Sequence, residues 1–391
     1  MRILGKGKTA QAIKEIYKDA VLFDDNDKDI YDINSDELTV VSPGIPPHNS
    51  LVKNTKNKIS DCDLFLEDDM FTVCISGTNG KTTTTSMIYH LLKDYGFSCG
   101  GNIGTPLAQI KDEKKLILEI SSFTLHYTSK AKPNIYILLP ISPDHLSWHG
   151  SFEEYEKSKL KPLSMMSKND TAIIPVKYKD YKTDTNMIYY ESTNDLAKIF
   201  NIDINNIIFK EPFLLDSVLA LSVYKIVVDK LDYDKINSFI QDPHKLEEFY
   251  DSKNRLWVDD SKATNIDATI QALKAYKDKK IFLILGGDDK GVDLKPLFEE
   301  LKMYNVEIYA IGTNTKKLKL LSDEYDLPCI ENYKLNKAVN YIIQNSKFKT
   351  QNCVALLSPA ASSLDQYNSY KHRGEEFKRV IKDININLKI C

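Results

Sequence analysis

The run Ser76-Gly77-Thr78-Asn79-Gly80-Lys81-Thr82-Thr83 constrains this chain more than any other stretch. It follows the apolar, β-rich run Phe71 to Ile75 and opens a segment of helical character from Lys81 to Tyr95. A strand that ends in a glycine turn and feeds a helix is a building block of parallel α/β sheets. Small residues let successive backbone N–H groups curl around an oxyanion, and the helix N-terminus adds partial positive charge. In that setting Lys81 can bridge the β- and γ-phosphates of a nucleotide, and the Thr82 hydroxyl can ligate Mg²⁺. The general pattern has a glycine five positions before Gly80, where this chain has Ile75. A Gly-Asn turn that simply caps a helix is therefore the competing reading.

Other apolar runs place this unit in a larger plan. Met1 to Leu4, Ala20 to Phe23 and Leu38 to Ser42 read as strands, with a helix over Thr9 to Tyr17 and a turn at Pro43-Gly44. Leu116 to Ile120, Ile135 to Leu139 and Thr171 to Pro175 follow the glycine turn. A third series comprises Leu256 to Val258, Ile281 to Leu285, Val306 to Ile311 and Val354 to Leu357. Unbroken apolar runs mark strands buried on both faces, as in parallel sheets. At ~150 residues per domain, 391 residues hold two or three domains. The expected fold is α/β with three domains. Residues 1–67 form a short Rossmann-like domain, 68–246 a central P-loop ATPase-like parallel-sheet domain, and 247–391 a C-terminal Rossmann-like domain.

Charge and cysteine usage narrow the partners. A net charge of −3 provides no basic surface, which argues against nucleic acid. No apolar run reaches the ~18 residues of a membrane span, and the N-terminus lacks the apolar core of a secretory signal. The six cysteines are scattered without a CxxC pair, which suits a reduced, cytoplasmic protein without disulfides or zinc.

Four further places bear on chemistry. Glu119 ends a buried strand in Leu116-Ile117-Leu118-Glu119-Ile120-Ser121-Ser122, where a carboxylate needs a cation or an ion-pair partner; both readings stand. His145 leaves the next strand beside Asp144, as a metal ligand oriented by a carboxylate or as a loop histidine. Lys157 and Lys159 lie on a helix further on, and their spacing singles out neither. Gly5-Lys6-Gly7-Lys8-Thr9, between a strand and a helix, is a weak phosphate fingerprint that by itself reads as a structural turn.

Taken together, these segments resemble the Mur ligases, the amino-acid-adding enzymes of peptidoglycan synthesis, over essentially the whole chain. GTNGKTT is similar to the family's ATP loop and LEISSF to its magnesium-binding segment. PDHLSWHGSFEEYEKSK is similar to its Asp-His…Tyr-x-x-x-Lys stretch. The resemblance implies that Gly77, Thr78, Asn79, Gly80, Lys81, Thr82 and Thr83 bind ATP. It implies that Thr82, Glu119, His145 and Lys159 serve the metal, Lys159 as a carbamate formed from CO₂. Val258-Asp259-Asp260-Ser261-Lys262-Ala263-Thr264-Asn265, Gly286-Gly287-Asp288-Asp289-Lys290 and Ser358-Pro359-Ala360-Ala361-Ser362-Ser363-Leu364-Asp365 resemble the D-glutamate-adding branch. They imply Asp260 and Lys245 at ATP, Lys262 at the reacting phosphates, and Thr264, Lys290, Ser363, Leu364 and Tyr370 around D-glutamate. Ser42-Pro43-Gly44-Ile45 resembles a further family loop. Through the resemblance Gly5, Lys8, Thr9, Asp24, Ser42, Pro43, Gly44, Asn102 and Ser121 would hold the UDP-linked substrate.

The implied activity is ATP-dependent addition of D-glutamate to UDP-N-acetylmuramoyl-L-alanine through an acyl phosphate. ATP, Mg²⁺ and the Lys159 carbamate are the expected cofactors. The expected protein is a cytoplasmic monomer acting on small molecules, with no nucleic acid and no membrane insertion. Another Mur-type or folylpolyglutamate-type amide ligase, or a nucleotide-binding regulatory module without catalysis, are the alternatives. The chain departs from the family at Glu211 to Ser217, where adenine recognition is expected to differ. It departs again at His244-Lys245-Leu246-Glu247, where lysine replaces the guanidinium fork of the usual His-Arg-x-Glu.

Overall fold

The apolar runs become the inner strands of three sheets. The computed structural model describes residues 1–32, 35–345, 348 and 352–387. Contacts divide the chain into two compact units, Met1–Phe239 and Ile240–Cys391. The first unit holds two of the sheets.

The first sheet has β1 (Arg2–Leu4), β2 (Val21–Phe23), β3 (Thr39–Val41) and β4 (Lys58–Ile59), all parallel in the order β2-β1-β3-β4. The second has β5 (Phe71–Ser76), β6 (Ser98–Gly101), β7 (Lys115–Glu119), β8 (Ile135–Leu138), β9 (Thr171–Pro175) and β10 (Asn186–Tyr190). It too is parallel, in the order β10-β9-β8-β5-β7-β6. Alternation along its strands separates two cores. Val73, Ile75, Ile117, Ile135 and Ile137 face the helices Lys81–Leu92 and Phe213–Val228. Cys74, Leu116, Leu118, Tyr136 and Leu138 face the opposite way, where Ile3, Ala10, Ile13 and Phe65 of the N-terminal segment join the same core. The first sheet is thereby packed on the second rather than tethered beside it.

The second unit carries β11 (Glu247–Tyr250), β12 (Leu256–Asp259), β13 (Lys280–Leu285), β14 (Val306–Ile311), β15 (Cys329–Tyr333) and β16 (Cys353–Leu357). Their order is β11-β12-β16-β13-β14-β15, parallel except for the antiparallel edge strand β11. Val258, Leu283, Ile308 and Leu356 point into one core; Trp257, Phe282, Tyr309 and Ala355 point into the other. The expected α/β fold with parallel-sheet domains is therefore the observed one. Within this unit the strap His244–Leu246 bonds to Asp259, Asp260 and Lys262.

Among the described residues no helix is long and apolar enough to cross a membrane. Cys62, Cys74, Cys99, Cys329 and Cys353 are free thiols, and Cys391 lies outside the described residues.

Candidate active site

Parallel strands deliver their following loops to one edge of the sheet. In the second sheet β8, β5 and β7 are neighbours, with Ile75 opposite Glu119 and Ser76 opposite Leu138. The glycine loop, Glu119 and the segment leading to His145 thus emerge side by side. The loop is tight: Gly77 has φ 142 and Gly80 φ 84, and a Cβ on Gly77 would stand 2.4 Å from Leu139 Cβ. Thr78 ties the loop to the β8 exit, donating to the Ser142 carbonyl at 3.0 Å and accepting the Ser142 N–H at 2.9 Å. Below the helix start, Thr84 donates to buried Asp216 at 2.6 Å, and a Cβ on Gly80 would meet the same carboxylate at 2.8 Å. The atypical Glu211–Ser217 stretch therefore backs the phosphate loop.

Two lysine amines converge on one carbonyl. Lys81 Nζ donates to Gly77 O at 3.0 Å and Thr78 O at 2.8 Å, while Lys159 Nζ donates to Gly77 O at 2.8 Å. Lys159 is 1% exposed and lies 4.7 Å from the Tyr155 ring centroid. Burial, reinforced by the charge of Lys81, holds its amine well below the ordinary lysine range. Lys81 is lowered as well, by burial, against the opposing pull of Glu119 and Asp144. The two candidates on the helix now separate, since the Lys157 side chain is 77% exposed.

Glu119 is buried. Its Oε1 accepts from Asn102 Nδ2 at 2.7 Å, and the Asn102 N–H donates to the Glu119 carbonyl at 2.8 Å. Oε2 is buried without a hydrogen-bond partner among the described residues. A small cavity of about 40 Å³ touches Glu119 and Asn102 together with Thr9, Pro43, Asp61 and Thr124. Candidates from the first and second sheets thus share one space. His145 takes a left-handed conformation (φ 54) beside Asp144, with Nε2 3.6 Å from a carboxylate oxygen and about half of its side chain exposed. Thr82 and Thr83 fall in the first turn of the Lys81–Leu92 helix.

The other first-sheet candidates cluster at the carboxyl ends of β1 and β3. The Gly5 N–H donates to Phe23 O at 2.7 Å and the Ser42 N–H to Leu4 O at 2.8 Å. Lys8 and Thr9 open the helix Lys8–Ile16, whose first-turn N–H groups suit an anion. Asp24 caps the turn Asp25–Asp27 and pairs with Lys6 at 3.0 Å. Tyr127 donates to Ile45 O at 2.7 Å, fastening the Ser42-Pro43-Gly44 loop to the helix that Ser121 caps.

In the second unit, Asp260 is buried between two donors, Ser358 Oγ at 2.7 Å and the Leu246 N–H at 3.3 Å. Burial pushes its carboxyl up to about 8. Lys262 lies 5.8 Å from the Tyr370 ring, and its N–H donates to His244 O at 3.1 Å. Lys245 stands between two left-handed residues, His244 and Leu246, and pairs with Asp242 at 3.2 Å. Lys290 is left-handed and exposed, Ser363 is buried, and Leu364 and Thr264 are exposed. Asp288 exchanges two backbone hydrogen bonds with Ser362, which joins the Lys290 turn to the Ser363 turn.

The chain is similar to known proteins. The Mur ligase middle domain matches residues 75–208. A UDP-N-acetylmuramoylalanine--D-glutamate ligase of Campylobacter jejuni subsp. jejuni (strain 81-176) is 49% identical, over 98% of this chain and 99% of the relative. The ligase of the same name from Helicobacter pylori (strain J99) is 44% identical, over 97% and 99%. The chain belongs to the Mur ligase family. Solved structures agree on the fold. A MurF ligase from Thermotoga maritima in complex with ADP superposes with TM-score 0.63 at 17% identity, covering 98% of this chain and 94% of that one. A folylpolyglutamate synthase from Mycobacterium tuberculosis gives 0.56 at 13%, covering 79% and 91%.

In this Mur ligase a further group, His244, Glu247 and Asp259, brings three potential ligand atoms within 4.8 Å of one another, the one such group among the described residues. Lys378 reaches Glu247 at 2.6 Å and Asp259 at 3.8 Å, so the group is an ion-pair network. His244 Nδ1 lies 2.6 Å from Asp259. The helix Tyr370–Asn387 closes over this pair only because residue 374 is glycine: an added Cβ would stand 2.2 Å from His244 Nδ1 and 2.7 Å from Asp259 Oδ2. Gly374→Ala is accordingly expected to cost about 1–3 kcal/mol of stability. Thermal unfolding reads this directly, and an unchanged midpoint would mean that the helix can retreat freely.

Proposed function

We propose that this Mur ligase adds D-glutamate to UDP-N-acetylmuramoyl-L-alanine at the expense of ATP. The observation that carries the reading is the meeting of Lys81, Lys159 and Glu119 at the mouth of a glycine loop, in a chain 49% identical to a ligase of that name. The terminal carboxylate of the UDP-linked substrate attacks the γ-phosphorus of ATP, the bond to the β,γ-bridging oxygen breaks, ADP leaves and an acyl phosphate forms. The D-glutamate amine then attacks the acyl carbon, and phosphate leaves from the tetrahedral intermediate. Such a phosphoryl transfer depends on positioning and charge neutralisation. Lys81 and the loop N–H groups neutralise phosphate charge.

The residues fit Mg²⁺: Glu119 Oε2 is a buried acceptor that no protein group satisfies. With Glu119, the metal would be held by Thr82, His145 and the carbamate of Lys159, and it would supply charge neutralisation at the phosphates. They fit the carbamate as well. Burial and the charge of Lys81 shift the Lys159 amine toward its neutral form, the form that reacts with CO₂. Asn102 holds Glu119 in place as well as bordering the substrate space. We assign UDP-substrate binding to residues 1–67 with Asn102 and Ser121, ATP to residues 68–246 with Lys245, Asp260 and Lys262, and D-glutamate to Thr264, Lys290, Ser363, Leu364 and Tyr370.

The test is phosphate release with Mg-ATP and UDP-N-acetylmuramoyl-L-alanine, adding D-Glu, L-Glu, L-Ala, L-Lys or diaminopimelate separately. The expected result is release with D-Glu alone, with a product heavier by one glutamate residue. Release with a different amino acid would keep the family and change the substrate. No release from folded, ATP-binding protein would indicate a regulatory module.

A further inference from the structure

Arg373 stands in the first turn of the Tyr370–Asn387 helix and is 1% exposed. Its guanidinium spans two turns of the second unit. Nε donates to Ser261 Oγ at 3.0 Å, and Nη2 donates to the Ser261 carbonyl at 2.8 Å and the Ala361 carbonyl at 3.1 Å. The Ser261 hydroxyl itself donates to the Tyr370 carbonyl at 2.8 Å. A third turn lies against the same group: a Cβ on Gly287 would stand 3.3 Å from Nη1. These turns follow β12, β16 and β13, three adjacent strands, so one side chain links the exits of all three.

Burying a guanidinium is costly, and an apolar side chain of similar volume is often the more stabilising choice. Here Nη1 is buried without a hydrogen-bond partner among the described residues. Burial pushes the group down to about 10, where it remains a cation at neutral pH, with Asp365 and Asp259 acting on it from a distance. What arginine offers in return is a rigid planar fork that fixes its acceptors relative to one another, which a lysine ammonium does not. Ser261 adjoins Lys262; Ala361 leads into Ser362, Ser363 and Leu364; Gly287 leads into Lys290.

We propose that Arg373 is a positioning residue, which fixes the turn carrying Lys262 relative to the two turns that form the amino-acid pocket. The proposal rests on the amide-ligase reading above. It has a specific consequence, because the acyl phosphate can meet either of two nucleophiles. The D-glutamate amine gives the amide and phosphate. Water gives back the carboxylate and phosphate, so that ATP is hydrolysed to ADP and no amide forms. Displacing the pocket from the phosphates favours water.

Full-length Arg373→Lys keeps the charge and loses the fork. Its kcat should fall about 10–100-fold, since displacements near 1 Å carry that scale of loss. KM for ATP should change less than KM for D-glutamate, because the glycine loop is untouched while both pocket turns lose their anchor. Phosphate released per amide formed, measured against product mass, should rise from one to about two or more as positioning is lost. Ser261→Ala removes the Nε acceptor and the donor to the Tyr370 carbonyl but leaves both Nη2 bonds, and it covers the case in which Arg373→Lys does not fold; it should shift the same ratio less. Unchanged kcat with one phosphate per amide overturns the proposal. So does a fall in both products at a strict one-to-one ratio in both variants, the mark of a merely structural residue. A wild-type protein that makes no amide with D-Glu would instead overturn the amide-ligase reading.

Discussion

Glu119→Gln is expected to leave a folded protein that releases phosphate about 10³-fold more slowly at saturating substrates, the scale of losing a principal charge-stabilising group. Glutamine keeps the volume and an amide oxygen to accept from Asn102, which in the native chain reaches Oε1 at 2.7 Å. Only the negative charge is lost. That charge stands buried with Oε2 unpartnered, and an uncompensated carboxylate destabilises its surroundings unless a cation arrives. The variant should therefore melt no lower than the wild type in metal-free buffer. Excess Mg²⁺ should raise the wild-type midpoint, because a ligand that binds only the folded state stabilises it, and should raise the variant less. Wild-type turnover in the variant, or equal shifts with Mg²⁺, would remove Glu119 from the metal. The expected signs oppose each other, lower activity with undiminished stability, which distinguishes this outcome from simple unfolding.

The inner strands were legible because burial on both faces leaves an unbroken apolar signature, as in Ile135–Leu138 and Ile281–Leu285. Most edge strands were not, although Val21–Phe23 was. Ser98–Gly101 is half glycine, Glu247–Tyr250 alternates exposed and half-buried residues, and Asn186–Tyr190 begins in solvent. The glycine loop was legible because its backbone needs leave a local residue pattern. Asn102 was assigned to the substrate from sequence, and nothing local tied it to Glu119, 17 residues away. Nothing local marks Arg373, whose bonds to Ser261 cross 112 residues. A signal did exist for Lys159. It follows Tyr155 by four residues, and that spacing puts both on one helix face, whereas Lys157 falls on the other. Tyr155, Ser158, Lys159 and Leu160 are indeed the buried residues of their helix.

Lys159→Ala is expected to abolish turnover, with partial restoration by small carboxylates such as acetate or formate. The reason lies in the electrostatics of two amines sharing the Gly77 carbonyl. Protonated, Lys159 would be a buried cation facing Lys81; burial and that neighbour drive its pKa down and favour the neutral amine. Reaction with CO₂ forms an N–C bond, releases a proton and leaves an anion, which turns repulsion of Lys81 into attraction. Linkage gives a second, independent readout. The folded pKa is lowered, so the folded chain binds fewer protons than the unfolded chain between that value and the ordinary lysine value. The stability associated with the neutral amine is present at high pH and is lost as pH falls through the folded pKa. Lys159→Met has no such proton to bind. In CO₂-free buffer its midpoint should therefore gain on the wild type as pH is lowered. ¹³C-labelled bicarbonate should produce a carbamate resonance in the wild type and none in Lys159→Met, and should raise the melting midpoint of the wild type alone. Full activity in CO₂-free buffer without a carbamate signal would show that the neutral amine is the working form. Retained turnover in Lys159→Ala would remove the residue from the chemistry. Loss of turnover together with a rising low-pH midpoint in Lys159→Met fits only a lysine retained at the cost of stability, because the buried position suits an apolar residue better until the amine is carbamylated.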